Sequence, residues 1–81
     1  MPPRFRDLKR FIEKTGWVLV KQTDHWYFEK VLPDGRILRT KISFALHKEI
    51  PASLWQFILK KQLALPDEES FWLGVGGKFK Y

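Results

Sequence analysis

Cysteine is absent from the 81 residues of this chain, histidine occurs only twice, and the 9 Asp and Glu are outnumbered by 15 Lys and Arg. Without cysteine, no disulfide staples the fold and no cysteine-based zinc site forms. The absence fits a reducing compartment, and the expected location is cytoplasmic. No window approaches the roughly 20 apolar residues needed to span a bilayer. Met1–Arg6 leads into no hydrophobic signal segment, so neither secretion nor membrane insertion is expected. The basic residues Arg4, Arg6, Lys9 and Arg10 are interrupted by Asp7, which argues against a lipid-binding helix. Gly74, Gly76 and Gly77 lack the strand-to-helix context of a phosphate loop. His25 and His47 lie far apart with no evident third ligand, and Ser43, Ser53 and Ser70 define no Ser-His-Asp arrangement by spacing. No metal and no cofactor are expected.

What is present is positive charge and aromatic mass. A formal net charge of +6 attracts polyanions, of which RNA and DNA are the commonest for a small soluble protein. One hydrophobic core is all that a chain of this length supports, and it buries only roughly 60% of the surface the unfolded chain exposes. Any site is therefore a shallow groove, suited to a polymer or a protein surface. Aromatics make up 16% of the chain and supply the apolar area that a core without staples requires.

From Phe5 to Lys14, Phe5, Leu8, Phe11 and Ile12 recur at three-to-four spacing between charged residues, which predicts an amphipathic helix. Gly16 stands where helices commonly end in a left-handed residue. Trp17–Val20 reads as a strand, Thr23-Asp24 as a turn, and His25–Val31 as an antiparallel neighbour. Pro33-Asp34-Gly35 is the clearest turn signal. It leads into a third strand from Arg36 to about Ser43, where Ile37 beside Leu38 blurs the alternation. Phe44–Glu49 is a connection without assigned structure.

Pro51 opens a second helix running to about Gln62, with an apolar face assembled from Leu54, Phe57, Ile58 and Leu63 and with Trp55 and Leu59 beside them. Pro66–Glu69 begins a short third helix, its carboxylates at the positive helix end, that reaches Trp72 or Leu73. Residues 74–81 are expected as a flexible tail or late edge segment of a single domain spanning 1–81. The predicted class is α+β: an α-β-β-β-α order in which a three-stranded antiparallel sheet covers one face with two main helices and leaves the other open. Double-stranded RNA-binding domains share that order, and one architecture carries many unrelated sites.

The segment closest to chemistry is Thr23-Asp24-His25-Trp26-Tyr27-Phe28. Histidine exchanges a proton near neutral pH, its unperturbed pKa being roughly 6.5. RNA carries its own nucleophile, the 2′-hydroxyl, so one imidazole acting as base suffices for cleavage without a metal, and a neighbouring cation stabilises charge growing on the phosphate. His25 is the candidate catalyst, and Lys21, Arg39 and Lys41 are the candidate cations. Tyr27, on the same strand face, is the candidate to meet a nucleotide, and Arg36, Arg39, Lys41, Lys60 and Lys61 are either a solvated surface or a phosphate-contacting stripe. Asp24 is either a turn residue or an imidazole orienter. The alternative for His25 is a solvent-facing or locally hydrogen-bonded strand residue, and His47 is expected at the surface. Trp17, Trp26 and Phe28 fit the core better than base stacking.

Phe11–Val20, Thr23–Phe28 and Pro33-Asp34-Gly35 together resemble the helix, Gly-Trp, histidine strand and turn of the HicA toxin family. Lys48-Glu49-Ile50-Pro51 with Leu54, Ile58 and Leu59-Lys60-Lys61-Gln62 resembles its entry into the second helix, and Asp67–Phe71 its acidic C-terminal segment. The resemblance covers roughly residues 8 to 73. It implies a double-stranded-RNA-binding-like fold and a messenger RNA endonuclease, the toxin of a toxin-antitoxin pair, monomeric when free and held by a HicB-like antitoxin over its RNA-facing surface. His25 occupies the family's catalytic position. Thr23-Asp24 replaces the usual Gly-Ser before it, and Ala64-Leu65 replaces the Gly-Leu that often follows the second helix. A catalytically silent RNA-binding module and a protein-interaction module with a basic surface are the competing expectations.

Overall fold

Helix α1 spans Phe5–Lys14 and buries Leu8, Phe11 and Ile12 completely, as their spacing requires. The computed structural model describes residues 2–81. The start of α1 is closed by the connection that lacked an assignment: Lys48 O and Leu46 O accept from the N–H groups of Phe5 and Arg6, and Asp7 Oδ2 accepts from Arg4 N at 2.9 Å. The N–H groups of Phe5 and Arg6 have no partner within the helix, so the Phe44–Ile50 segment supplies it. Gly16 ends the helix at φ 81°, the left-handed conformation predicted for it.

Strands β1 (Val18–Gln22), β2 (His25–Val31) and β3 (Ile37–Ser43) form a three-stranded antiparallel sheet in sequence order. The Pro33–Gly35 turn sets Val31 opposite Ile37, and the ladder runs unbroken to His25 opposite Ser43. Alternation in β3 is clean, contrary to the blurred pattern expected around Ile37 and Leu38. Leu38, Thr40 and Ile42 are buried while Ile37, Arg39 and Lys41 are exposed, because the pleat sorts neighbours regardless of their chemistry. Phe28, opposite Thr40, joins the covered face. β1 is irregular between Leu19 and Lys21 and exposed along its whole length.

The second helix begins as α2 (Ala52–Phe57) and continues as a wider turn over Ile58–Gln62, in which Leu63 N reaches back five residues to Ile58 O at 2.8 Å. Its buried face differs from the one expected. Trp55, Ile58, Leu59 and Leu63 are buried, whereas Leu54 and Phe57 are exposed, so the face that packs is turned by one position. Trp55 anchors it by meeting Phe71 edge to face at 4.7 Å and donating Nε1–H to Glu68 Oε1 at 2.9 Å. The third helix, α3 (Glu68–Val75), is capped by Asp67, which accepts from Ser70 N at 2.9 Å. Phe71 stacks on Phe11 at 5.2 Å, which joins α3 to α1.

Residues after α3 form neither a loose tail nor an edge strand. Phe79 and Tyr81 pack on the core, and the Tyr81 hydroxyl donates to Leu63 O at 2.9 Å. Two aromatic rings among the last three residues are reason enough, since burying them outweighs the entropy of ordering a short segment. Among the described residues, no helix is long and apolar enough to cross a membrane.

Two positions predict stability changes of opposite sign. Ala64 holds φ 54° just after the second helix, a conformation that costs a residue with a Cβ about 1–2 kcal/mol. Ala64→Gly is expected to stabilise the fold by up to about 1 kcal/mol after glycine's greater chain entropy is deducted. Gly74 lies so close to Phe11 that an added Cβ would overlap the Cδ2–Cε2 edge of its ring. Gly74→Ala is expected to destabilise by about 3 kcal/mol or more. Denaturant titration of both variants checks the pair, and a stability loss in Ala64→Gly contradicts the strain assigned to Ala64.

Candidate functional site

Pairing partners share a face, so the ladder that buries Phe28, Thr40 and Ile42 places His25, Tyr27, Lys41 and Ser43 together on the other face. Lys21, opposite Tyr27 in β1, extends that row across all three strands. Its Nζ stands 5.3 Å from the centre of the Tyr27 ring, and the His25 and Tyr27 rings meet edge to face at 6.3 Å. Four of the residues singled out from sequence, His25, Tyr27, Lys21 and Lys41, are thus brought to one end of the open face.

Asp24 organises this end. Its Oδ1 accepts from Thr23 Oγ1 and from the Tyr27 hydroxyl, each at 2.9 Å, and its Oδ2 lies 3.1 Å from His25 Nδ1. The last contact is close, but its angle falls outside hydrogen-bond geometry, and Nδ1 is buried without a hydrogen-bond partner. We treat it as an electrostatic contact. The bonds from Thr23 and Tyr27, and after them the contact with His25, hold the Asp24 carboxyl well below the usual carboxylate range. Asp24 precedes β2, with its carboxylate 3.1 Å from the imidazole. Extended-strand alternation does not separate the two side chains because Asp24 precedes the strand.

The His25 side chain is 31% exposed, and Nδ1 is its one ring nitrogen buried without a hydrogen-bond partner. Beside it is a small hollow of about 80 Å³ lined by Phe5, His25, Lys41, Ser43, Leu54, Ile58 and Gln62. Phe5, Leu54, Ile58 and Gln62 went unrecognised as site residues. The four-residue spacing of Leu54, Ile58 and Gln62 was the signal available, and the core assignment of the first two obscured it.

The remaining basic residues are placed elsewhere. Arg36 bonds Asp34 through Nε at 2.8 Å within the β2–β3 turn, at the end of the sheet remote from His25. Arg39 is on the open face but bonds Glu29 Oε2 at 2.8 Å. Near the first helix, Arg4 donates to His47 O, and Lys9 pairs with Glu13 at 2.8 Å while covering the Trp26 ring at 5.2 Å. Charge free for a phosphate near His25 is therefore that of Lys21 and Lys41, neither of which has an acidic partner among the described residues. His47 is exposed, as expected. No group of three or more His, Cys, Asp or Glu among the described residues is placed to hold a metal ion.

Comparison with protein-family models, with curated proteins and with solved structures finds no match to this chain.

Both tyrosines are expected to titrate above the ordinary value of 10.0, for different reasons. Tyr27 is raised first by its hydrogen bond to Asp24, Tyr81 by burial. Asp24→Ala is therefore expected to bring Tyr27 back toward 10 and leave Tyr81 in place, which phenolate absorbance reads directly. A raised phenol pKa means that the Tyr27–Asp24 bond contributes stability below the unfolded value and loses it as pH rises through the folded one. The depressed Asp24 pKa acts conversely: its contribution is present above the ordinary 3.8 and disappears only as pH falls through the lower folded value. An unmoved Tyr27 in the folded variant would show that the Asp24 cluster does not persist in solution.

Proposed function

We propose that this chain is an RNA endonuclease of the HicA toxin type, with a double-stranded-RNA-binding-like fold and His25 as its general base. The observation that carries the reading is the setting of His25, with one ring nitrogen buried against a charged carboxylate, the side chain part-exposed beside a hollow, and Lys41 on the same rim. The Asp24 carboxylate favours the proton on Nδ1, which leaves Nε2 with the lone pair a base requires. Nε2 takes the proton of a 2′-hydroxyl, the 2′-oxygen attacks phosphorus, and the bond to the 5′-oxygen breaks, the leaving oxygen taking a proton from water. Lys41 and Lys21 offset charge on the non-bridging oxygens. No step requires a metal.

The α-β-β-β-α order and three-stranded antiparallel sheet agree with the architecture the family resemblance implies. Thr23-Asp24, in place of Gly-Ser, builds a turn closed by its own side chains, and Asp24 assumes the orienting contact with the imidazole. A HicB-like antitoxin covering this surface would find apolar contacts as well as cations, since Val18, Val31 and Ile37 are exposed on the same face. Messenger RNA is the proposed substrate.

A second reading, a catalytically silent RNA-binding module, is favoured by the Asp24 charge at the rim and by the engagement of Arg36 and Arg39 with Asp34 and Glu29. One assay separates the two. Wild-type protein is expected to cleave RNA in the presence of a chelator, and His25→Ala, folded and binding RNA with similar affinity, to cleave at least about 100-fold more slowly. Equal cleavage by the variant removes His25 from the mechanism, and tight binding with no cleavage by either protein establishes the binding module.

A further inference from the structure

The hollow beside His25 is bounded on one side by Leu54, Ile58 and Gln62, which follow one another at four-residue intervals along the second helix. Four residues of an α-helix overshoot a full turn, so a row at this spacing drifts around the helix. The wider turn closed by Leu63 N on Ile58 O undershoots instead, and Gln62 swings back into line with Leu54. The irregular turn thereby keeps three side chains on one wall. Phe5 faces them from α1, and His25, Lys41 and Ser43 complete the rim.

Gln62 is the one amide in this lining, and its orientation is set. Buried Thr40 donates its hydroxyl to Gln62 Oε1 at 2.7 Å, which commits the carbonyl end to the protein. The NH2 group has no acceptor among the described residues and remains available to a ligand. An apolar slot of about 80 Å³ with one directed donor pair at its edge suits a flat, single-ring group carrying a carbonyl oxygen.

We infer that this hollow is a pyrimidine subsite, in which Phe5, Leu54 and Ile58 hold the ring of the nucleotide whose 2′-hydroxyl meets His25 and the Gln62 amide donates to the ring carbonyl. The inference rests on reading the site as one that acts on RNA. Uracil and cytosine both carry a carbonyl oxygen beside the glycosidic nitrogen, so both are accepted. Adenine carries no carbonyl, and its second ring exceeds the slot. Recognition comes from a donor oriented by its bond to Thr40, and the lysine charges add affinity without selecting a base.

The test uses oligouridylate, oligocytidylate and oligoadenylate of equal length, 2′-O-methylated throughout so that none is cleaved, with binding to the folded protein read by fluorescence anisotropy. The wild-type chain is expected to prefer either pyrimidine to adenylate by about tenfold, the scale of one good base-reading contact. Gln62→Glu keeps an acceptor for Thr40 and loses the donor, and is expected to bring that ratio to within about twofold. Leu54→Ala opens the apolar wall at an exposed position and is expected to lower the ratio as well, which provides a second variant should Gln62→Glu fold poorly. Equal binding of all three oligomers by the wild type, or an unchanged ratio in either folded variant, overturns the pyrimidine subsite while leaving RNA binding intact. Failure to bind any of the three overturns the RNA reading on which the inference rests.

Discussion

The register between β2 and β3 governs everything else in this molecule. Because side chains alternate along a strand, setting Val31 opposite Ile37 turns Phe28, Leu38, Thr40 and Ile42 into the core and His25, Tyr27, Arg39 and Lys41 out of it. A slip of β3 by one residue would turn Arg39 and Lys41 into the core and Leu38, Thr40 and Ile42 out of it, separating Lys41 from His25. Burial of the aliphatic side therefore holds the chemistry in place: the same hydrophobic gain that attaches α1 to the sheet determines which row of polar groups faces outward. Asp24 then adds local order, joining Thr23, Tyr27 and His25 through a single carboxylate.

The helical layer contributes the second wall of the site, and does so at some conformational cost. Trp55 and Phe71 lock the second helix to α3, while Tyr81 fastens the chain end to Leu63. Between those anchors the helix widens over Ile58–Gln62 and leaves through Ala64 in a left-handed conformation. Irregular turns of this kind and left-handed residues with a Cβ concentrate where the chain must present particular side chains. Here the side chains presented are Ile58 and Gln62, beside His25.

Much of this was legible in the sequence. The helical period of Phe5–Ile12, the Gly16 stop and the Pro33-Asp34-Gly35 turn each act through local backbone physics, and the elements they delimit occur where expected. Once that turn is located, counting outward places His25 beside Ser43 and Tyr27 beside Lys41, so the core of the candidate site was legible too. What was not legible depended on contacts between distant parts of the chain. Arg36 and Arg39 looked free because their partners, Asp34 and Glu29, are identified by turn geometry and cross-strand register and carry no composition signal. Leu54 and Phe57 looked buried because an apolar residue in a helix has no mark of which side its neighbours occupy. Phe79 and Tyr81 looked detached because the glycines before them suggest looseness, whereas the cavity they fill is formed by Phe11, Trp17 and Leu63.

The central claim is that His25 draws its reactivity from the substrate's own 2′-hydroxyl, with the protein contributing a base, two cations and a fixed geometry. The most direct measurement compares an RNA oligonucleotide with the same oligonucleotide bearing a single 2′-deoxy substitution at the cleaved position. The account predicts that the first is cut to leave a 2′,3′-cyclic phosphate or its hydrolysis product, and that the second stays intact at that position while binding with similar affinity. Cleavage of both at the same bond would contradict it, because the nucleophile would then have to come from somewhere other than the ribose.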